Sequence, residues 1–350
     1  MTQLMFCLIC LLAFAAFTGA SSSDDKFLLF VGIAILSITS GFRAIDVGID
    51  TAFYYDAFVS NFTIRPWQFE EQGFRLFVHA LMILFGKPEF VFLIISLATN
   101  SLVLLRLWDF RKTASFSYMS FFYIAVFYIG TMNTMRQYFA AAIVFFFTRS
   151  LERKKYVPFV ISLLVATSIH TTALAGIIYL FIYLWRNTEK DKRVYLLIIE
   201  VVVIPLSVAL VIWYESELID NYFSNGISNV NITFIYRVGS FLLSIFLSWV
   251  FSSKNVSDGG FPTSSSTSVS LFALIGMLAS SAGMFFKYMG RIGYYFTLFE
   301  GVYWGSAIRA KAWDWLYFLM PTVYALYVFA NELVFNGSGI FPFHFIFGQL

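Results

Sequence analysis

Gly130-Thr131-Met132-Asn133-Thr134-Met135-Arg136-Gln137-Tyr138, followed by the apolar run Phe139 to Phe147, decides how the chain is read. It is a polar corner, then an arginine, then a run apolar enough for a membrane helix. Arginine near the hydrocarbon region costs roughly 2.5–3.5 kcal/mol even on lenient insertion scales. Such a residue lines a cavity, pairs with a partner, or snorkels to the interface. Here it opens a helix, where free backbone N–H groups and the helix dipole already favour an anion. Arg136 adds a permanent, forked positive charge. Two readings follow: an anion site, or an interfacial anchor.

The composition around this corner is that of a membrane. Of 350 residues, 59% are hydrophobic and only 12% charged, with mean hydropathy +0.78. Soluble domains carry about 45–50% apolar and about 25% charged residues. The chain therefore reads as an all-α, polytopic integral membrane protein, a single transmembrane domain over 1–350. A net charge of +3 gives no footing for nucleic acid. Cys7 and Cys10 form a C-x-x-C inside an apolar run, where a redox or metal site lacks polar surroundings and further ligands; chance spacing is the better reading. The triplet Asn61-Phe62-Thr63 matters only in a glycosylating compartment. Met1 to Ala20 ends in small residues but has no positive n-region, and reads as the first span.

A span needs about 20 apolar residues. Candidates lie at 1–20, 27–42, 90–107, 115–132, 134–149, 156–170, 171–185, 194–213, 234–251, 269–286, 290–308 and 313–335, about twelve in all. The stretch 74–85 is apolar but short, and reads as re-entrant or interfacial. Pro205 kinks the span that contains it. No repeat of the transporter kind is visible.

Basic loops set the orientation. They run from Arg106 to Lys112, Arg149 to Lys155, Arg186 to Arg193, and Arg309 to Lys311. Successive basic loops must be separated by an even number of crossings. Two crossings fit between 112 and 149, which puts Asn133 to Arg136 outside. Two more fit between 155 and 186, with the turn at Ser168-Ile169-His170-Thr171-Thr172, so His170 lies outside as well. The same count gives outer loops at 43–89 and 214–233 and a flexible, Ser/Gly-rich cytoplasmic loop at 252–268. It holds only if 74–85 does not cross.

The first outer loop reads Ser40-Gly41-Phe42-Arg43-Ala44-Ile45-Asp46-Val47-Gly48-Ile49-Asp50-Thr51-Ala52-Phe53-Tyr54-Tyr55 and ends in Glu70-Glu71-Gln72-Gly73-Phe74. As a helix it would put Asp46, Asp50 and Tyr54 on one face. Carboxylates beside rings suit sugars; an amphipathic interfacial segment has the same pattern. Further on, Lys287, Arg291 and Tyr295 share i, i+4, i+8 spacing at an outer helix start, a second candidate anion site or a second anchor. Glu300 lies deeper in that span, about 180° from Arg291, and suits a structural hydrogen bond. Glu200 is equally open. Gly301-x-x-x-Gly305 suits close helix packing.

These segments together resemble a known pattern. Gly41-Phe42-Arg43, then Val47-Gly48-Ile49-Asp50-Thr51 and Tyr54-Tyr55, resembles the G-[FL]-R…V-G-x-D-T-x-x-Y opening of the EpsG-like family, bacterial membrane proteins of exopolysaccharide and O-antigen assembly related to Wzy polymerases. Asn133 to Gln137 with Ala140-Ala141 resembles its N-x-x-R-Q-x-x-A segment. Ile169-His170-Thr171-Thr172-Ala173 resembles its F-H-x-[ST]-A segment, and Arg291-Ile292-x-Tyr294-Tyr295 its late R-[IL]-x-x-Y. The four occur in order over most of the chain. The family's glycine-threonine-aspartate is Gly48-Ile49-Asp50 here, its acidic site is doubled as Glu70-Glu71, and Phe341-Pro342-Phe343 is a loose counterpart of its late Pro-Tyr.

The resemblance implies a GT-C-like polymerase of the bacterial inner membrane that joins undecaprenyl-pyrophosphate-linked repeat units on the outer face. It implies membrane lipid, a flippase and a chain-length regulator as companions, and no cofactor. A lipid pyrophosphate leaving group needs aimed donors: Arg136 and Arg291, then Arg43 and Lys287, with Gln137, Asn133, Tyr54 and Tyr295 as further substrate contacts. The acceptor hydroxyl needs a base, with His170, Asp50 and Glu71 as candidates in no set order. No carboxylate group resembles a metal cage, which implies a metal-independent reaction. Two rivals stand beside it. An O-antigen ligase calls for a larger outer loop, and a transporter or flippase calls for charges deep in several helices.

Overall fold

The computed structural model describes residues 3–63, 70–187, 239, 265–282, 287–309 and 314–348. The expected spans 194–213 and 234–251, the outer loop 214–233, Glu200 and Pro205 lie outside the described residues. So does nearly all of the loop expected at 252–268.

Among the described residues the chain is helical without a strand, apart from one antiparallel bridge between Arg43 and Phe345. In order come α1 (Gln3–Ser23), α2 (Lys26–Gly41), α3 (Thr51–Val59), α4 (Gln72–Phe85), α5 (Pro88–Asp109), α6 (Phe116–Phe122), a π-helical turn (Tyr123–Tyr128), α7 (Gly130–Asn133), α8 (Met135–Glu152) and α9 (Tyr156–Ile169). A 3-10 turn (Thr171–Gly176), α10 (Ile177–Asn187), α11 (Ser265–Ala282), α12 (Lys287–Arg309) and α13 (Asp314–Phe335) follow. Among the described residues three helices are long and apolar enough on their own to cross a membrane: Gln3–Ser23, Pro88–Asp109 and Phe318–Phe335. Five more apolar helices are shorter. The chain is a membrane protein, all-helical among the described residues.

These residues group into two compact units, Met1–Ala142 with Ser168–His170 and Trp304–Leu350, and Ile143–Thr167 with Thr171–Tyr303. In the first unit, α2 packs on α1 and α5, and α1 on α6. Small residues let the helices close. A Cβ on Gly32 would lie 2.3 Å from the Phe17 ring, and one on Gly41 2.6 Å from the Leu93 backbone. The same role falls to Gly305, whose carbonyl accepts from Ser115 N–H at 2.9 Å and whose Cβ would meet Met119. With no hydrophobic drive between helices in lipid, polar links add to such packing. Tyr123 donates to Asn100 Oδ1 at 2.8 Å, Asn100 to Ser37 Oγ at 3.4 Å, and Tyr128 to the Leu36 carbonyl at 2.7 Å.

The first unit has two distinct ends. At one, Arg111 pairs with Asp24 at 2.7 Å and Arg309 donates to the Arg111 carbonyl at 2.9 Å. At the other, Phe42 at the end of α2 meets Phe90 at the start of α5. The 22 residues of α5 separate these ends by about 33 Å. Both termini of α4 lie at the second end: Gly73 abuts Ser168, and Phe85 stacks near Phe90. The stretch 74–85 thus begins and ends on one side. Its helix buries Phe74, Val78 and Leu81 and exposes Leu76, Ile83 and Leu84, so its outer face is apolar as well.

The second unit is built on rings. Tyr179, fully buried, packs against Phe272, Phe296 and Phe299 with centroids 4.4–5.6 Å away and donates to the Tyr295 carbonyl at 2.6 Å. Gly276 lets α11 approach the Phe296–Thr297 backbone, where a Cβ would sit at 2.8 Å.

Candidate functional site

The Asn133–Arg136 corner forms because the helix ends and restarts there. Thr134 adopts φ −80°, ψ 50°, its N–H and hydroxyl return to the Gly130 carbonyl, and its own carbonyl accepts from Tyr138 N–H as α8 begins. Gly130 leaves room for the Tyr138 ring, since a Cβ would lie 2.8 Å from its hydroxyl. Arg136 is therefore in the first turn of α8, 15% exposed. Its Nη1 donates to Glu71 Oε2 at 2.6 Å, its guanidinium lies 5.6 Å from the Phe74 ring centroid, and the Tyr54 side chain is a further partner.

Glu71 is the N-cap residue of α4 yet does not cap it through its side chain. The carboxylate turns to the corner instead. While Oε2 takes Arg136, Oε1 lies 3.9 Å from His170 Nδ1. That distance suits charge attraction and exceeds a hydrogen bond. Glu71 is 10% exposed and His170 12%, whereas Glu70 is exposed. Of the doubled pair, Glu71 is the one that faces the arginine. The approach of α4 to the His170 turn depends on Gly73, where any Cβ would overlap Ser168.

Three residues of the corner and its opening loop, Arg43, Asn133 and Gln137, are set within the packing. Arg43, 3% exposed, donates to Thr51 Oγ1 at 2.9 Å, to the Met132 carbonyl at 2.9 Å and to the Ser40 carbonyl, with the Phe92 ring 4.8 Å away. Burial pulls its pKa down to about 10, so it stays charged at neutral pH. Asn133 donates Nδ2 to the Ser338 carbonyl at 2.8 Å. Gln137 is buried, 3% exposed.

Asp46, Asp50 and Tyr54 do not form one helical face. Gly48 stands at φ +92°, a left-handed conformation that stops any helix there, and α3 begins only at Thr51. Asp46 is exposed and meets His344 Nε2 at 2.9 Å. Asp50 is the half-buried N-cap residue of α3, and Tyr54 is buried one turn on. Gly48 is also the only residue type that fits, because a Cβ would lie 2.6 Å from Asn133 Oδ1.

Lys287, Arg291 and Tyr295 lie on α12, in the second unit. Arg291 is half-buried. Tyr295 is fully buried, its hydroxyl 3.0 Å from Thr172 Oγ1, and so ties α12 to the turn after His170. The Lys287 side chain lies outside the described residues. Glu300 is 1% exposed. Among the described residues no three His, Cys, Asp or Glu side chains gather as metal ligands would.

The sequence reading missed the part played by Phe74 and by residues 336–346, which pack on the opening loop. The signal was weak: a phenylalanine among 44, and a tail without charge pattern.

Glu71, Arg136 and His170 come from three separated segments of the chain, all within residues 26–345, which a family model matches. The chain belongs to the EpsG family. This is a family of Wzy-like polymerases, and membership points to a polymerase-type role in exopolysaccharide or O-antigen synthesis. Searches of curated proteins and of solved structures give no match.

Proposed function

We propose that this EpsG-family protein is a glycosyltransferase that joins undecaprenyl-pyrophosphate-linked oligosaccharide repeat units at the outer face of the bacterial inner membrane. The observation that carries this reading is the Arg136–Glu71–His170 cluster at the end of the first unit opposite Arg111 and Arg309. Positive loops stay in the cytoplasm, so the cluster faces outward, where lipid-linked units are presented.

In this reading the anomeric C–O bond to the lipid pyrophosphate breaks and a new C–O bond forms to the acceptor hydroxyl. His170 takes the hydroxyl proton. Glu71, held by Arg136 and with its other oxygen 3.9 Å from His170 Nδ1, favours the imidazolium that forms. Arg136 stabilises the departing pyrophosphate, with α8's first-turn N–H groups beside it. Arg291 and Lys287 are further anion-binding candidates, and Asp50 is the alternative base. Tyr54 and Phe74 are buried and support Arg136. Arg43, Asn133 and Gln137 shape the site from within the packing.

The test is the surface-glycan ladder of a deletion strain. A polymerase mutant still exports and ligates single units, so the ladder collapses to core plus one unit. Loss of the single-unit band as well would point to a ligase or flippase.

A further inference from the structure

The C-terminal segment after α13 is tied to the opening loop by backbone pairing. Ala44 N–H donates to the His344 carbonyl at 2.9 Å and Ile346 N–H to the Phe42 carbonyl at 3.0 Å, on either side of the Arg43–Phe345 bridge. Gly48 N–H donates to the Gly339 carbonyl at 2.9 Å. The Ser338 carbonyl accepts twice, from Ile49 N–H at 3.2 Å and from Asn133 Nδ2 at 2.8 Å. One carbonyl thus joins the Gly48 loop to the corner that carries Arg136.

What places that carbonyl is Asn336. It adopts φ +50°, which asparagine tolerates better than most residues. Its side chain closes the turn on both edges, Nδ2 donating to the Phe341 carbonyl at 2.6 Å and Oδ1 accepting from Phe341 N–H at 2.9 Å. Its carbonyl accepts from Gly339 N–H at 2.9 Å, and Glu332 Oε2 accepts from Ser338 N–H at 3.0 Å. These bonds hold the turn on both edges.

We propose that Asn336 is a positioning residue: by locking the turn 336–341 it sets Ser338 and Gly339, which hold the Gly48 loop and Asn133 and so aim Tyr54 and Arg136. The inference rests on the polymerase reading for its catalytic consequence and on geometry alone for its mechanical one. Asn336 reaches the corner only through Ser338 and Gly339, so its loss disturbs alignment rather than substrate binding.

The experiment uses the full chain, freed of Cys7 and Cys10, in lipid nanodiscs with the host's undecaprenyl-pyrophosphate-linked repeat unit as probe. Asn336→Gly keeps the left-handed backbone and removes both side-chain bonds; Asn336→Asp keeps the acceptor. Misalignment of about 1 Å costs on the order of 100-fold in rate. Asn336→Gly is expected to lower kcat by about 10- to 100-fold with KM unchanged, and Asn336→Asp to recover part of it. In parallel, Val47→Cys, buried in the loop, should resist an impermeant thiol reagent with Asn336 present and label with Asn336→Gly. Wild-type kcat together with a protected Cys at 47 in Asn336→Gly would overturn the proposal. A wild-type chain that polymerises nothing would overturn the polymerase reading, while the thiol result would still decide the mechanical role of Asn336.

Discussion

Glu71 and Arg136 meet at 2.6 Å although 65 residues separate them, and the same carboxylate turns its other oxygen toward His170. A carboxylate beside an arginine at a proposed anion site partly neutralises the charge that is meant to bind. The arrangement makes sense if Glu71 sets the position of the guanidinium. Arg136 is then kept in place, and an incoming pyrophosphate competes for a fork that offers five N–H donors.

Arg136→Lys separates an anion site from an anchor. Lysine keeps the charge and lacks the planar fork. One charge-assisted contact is worth about 1.5–3 kcal/mol, so its loss in the transition state lowers the rate by roughly 10- to 150-fold. The same change at Arg153 should be near neutral. Polymer yield at matched protein levels is the measurement. Wild-type polymer from Arg136→Lys would return Arg136 to the role of interfacial anchor.

The doubled glutamate is resolved by comparing Glu71→Gln with Glu70→Gln. Removing one partner of a buried pair costs about 3–5 kcal/mol, because the other charge is left uncompensated. Glu71→Gln should therefore lower both the amount of inserted protein and the polymer made. Adding Arg136→Gln should restore the amount and not the activity, a non-additivity that marks direct contact. Glu70, which is exposed, should tolerate glutamine. Equal losses at both positions would remove Glu71 from its special place.

Much of this was legible in the residues. The helices α1, α2, α5 and α8 to α13 start and stop within a few residues of the apolar runs that announce them, because burial in lipid is written directly in composition. The polar corner at Asn133–Arg136 and the His170 turn are legible as polar breaks between apolar runs, a reading that needs no contact information. The pairing of Arg136 with Glu71 was not legible, since nothing local distinguishes Glu70 from Glu71. The choice is made by where α4 begins and by Gly73 admitting Ser168. The helical stripe of Asp46, Asp50 and Tyr54 failed for a local reason that spacing hides: one glycine at positive φ. Arg43 and Asn133 read as ligand contacts because they are polar in an apolar chain, and the structure places them against backbone carbonyls.

Topology has a direct check. Ile49 is 67% exposed at the Arg136 end, and Lys112 is exposed next to Arg111 at the other. In a background without Cys7 and Cys10, Ile49→Cys should react with an impermeant thiol reagent in intact spheroplasts. Lys112→Cys should react only after permeabilisation. The reverse pattern would invert the orientation and, with it, the outward placing of Arg136.

Gly48 tests whether the opening loop serves the site by its backbone. A Gly48→Ala chain meets two obstacles. A left-handed conformation costs a residue with a Cβ roughly 1–2 kcal/mol, and that Cβ would lie 2.6 Å from Asn133 Oδ1 and 3.0 Å from Thr51 Oγ1. Gly86 isolates the first obstacle, for it has φ +67° and nothing within 4 Å of a Cβ. Gly86→Ala should lose stability by the conformational cost alone and keep its activity per inserted molecule. Gly48→Ala should lose more stability, and it should also lose specific activity, because relief of the clash moves Asn133 and so the corner three residues ahead of Arg136. Thermal unfolding in detergent and polymer formed per molecule measure the two effects separately. If Gly48→Ala matched Gly86→Ala in both, the contact between this loop and Asn133 would have no part in aligning the site.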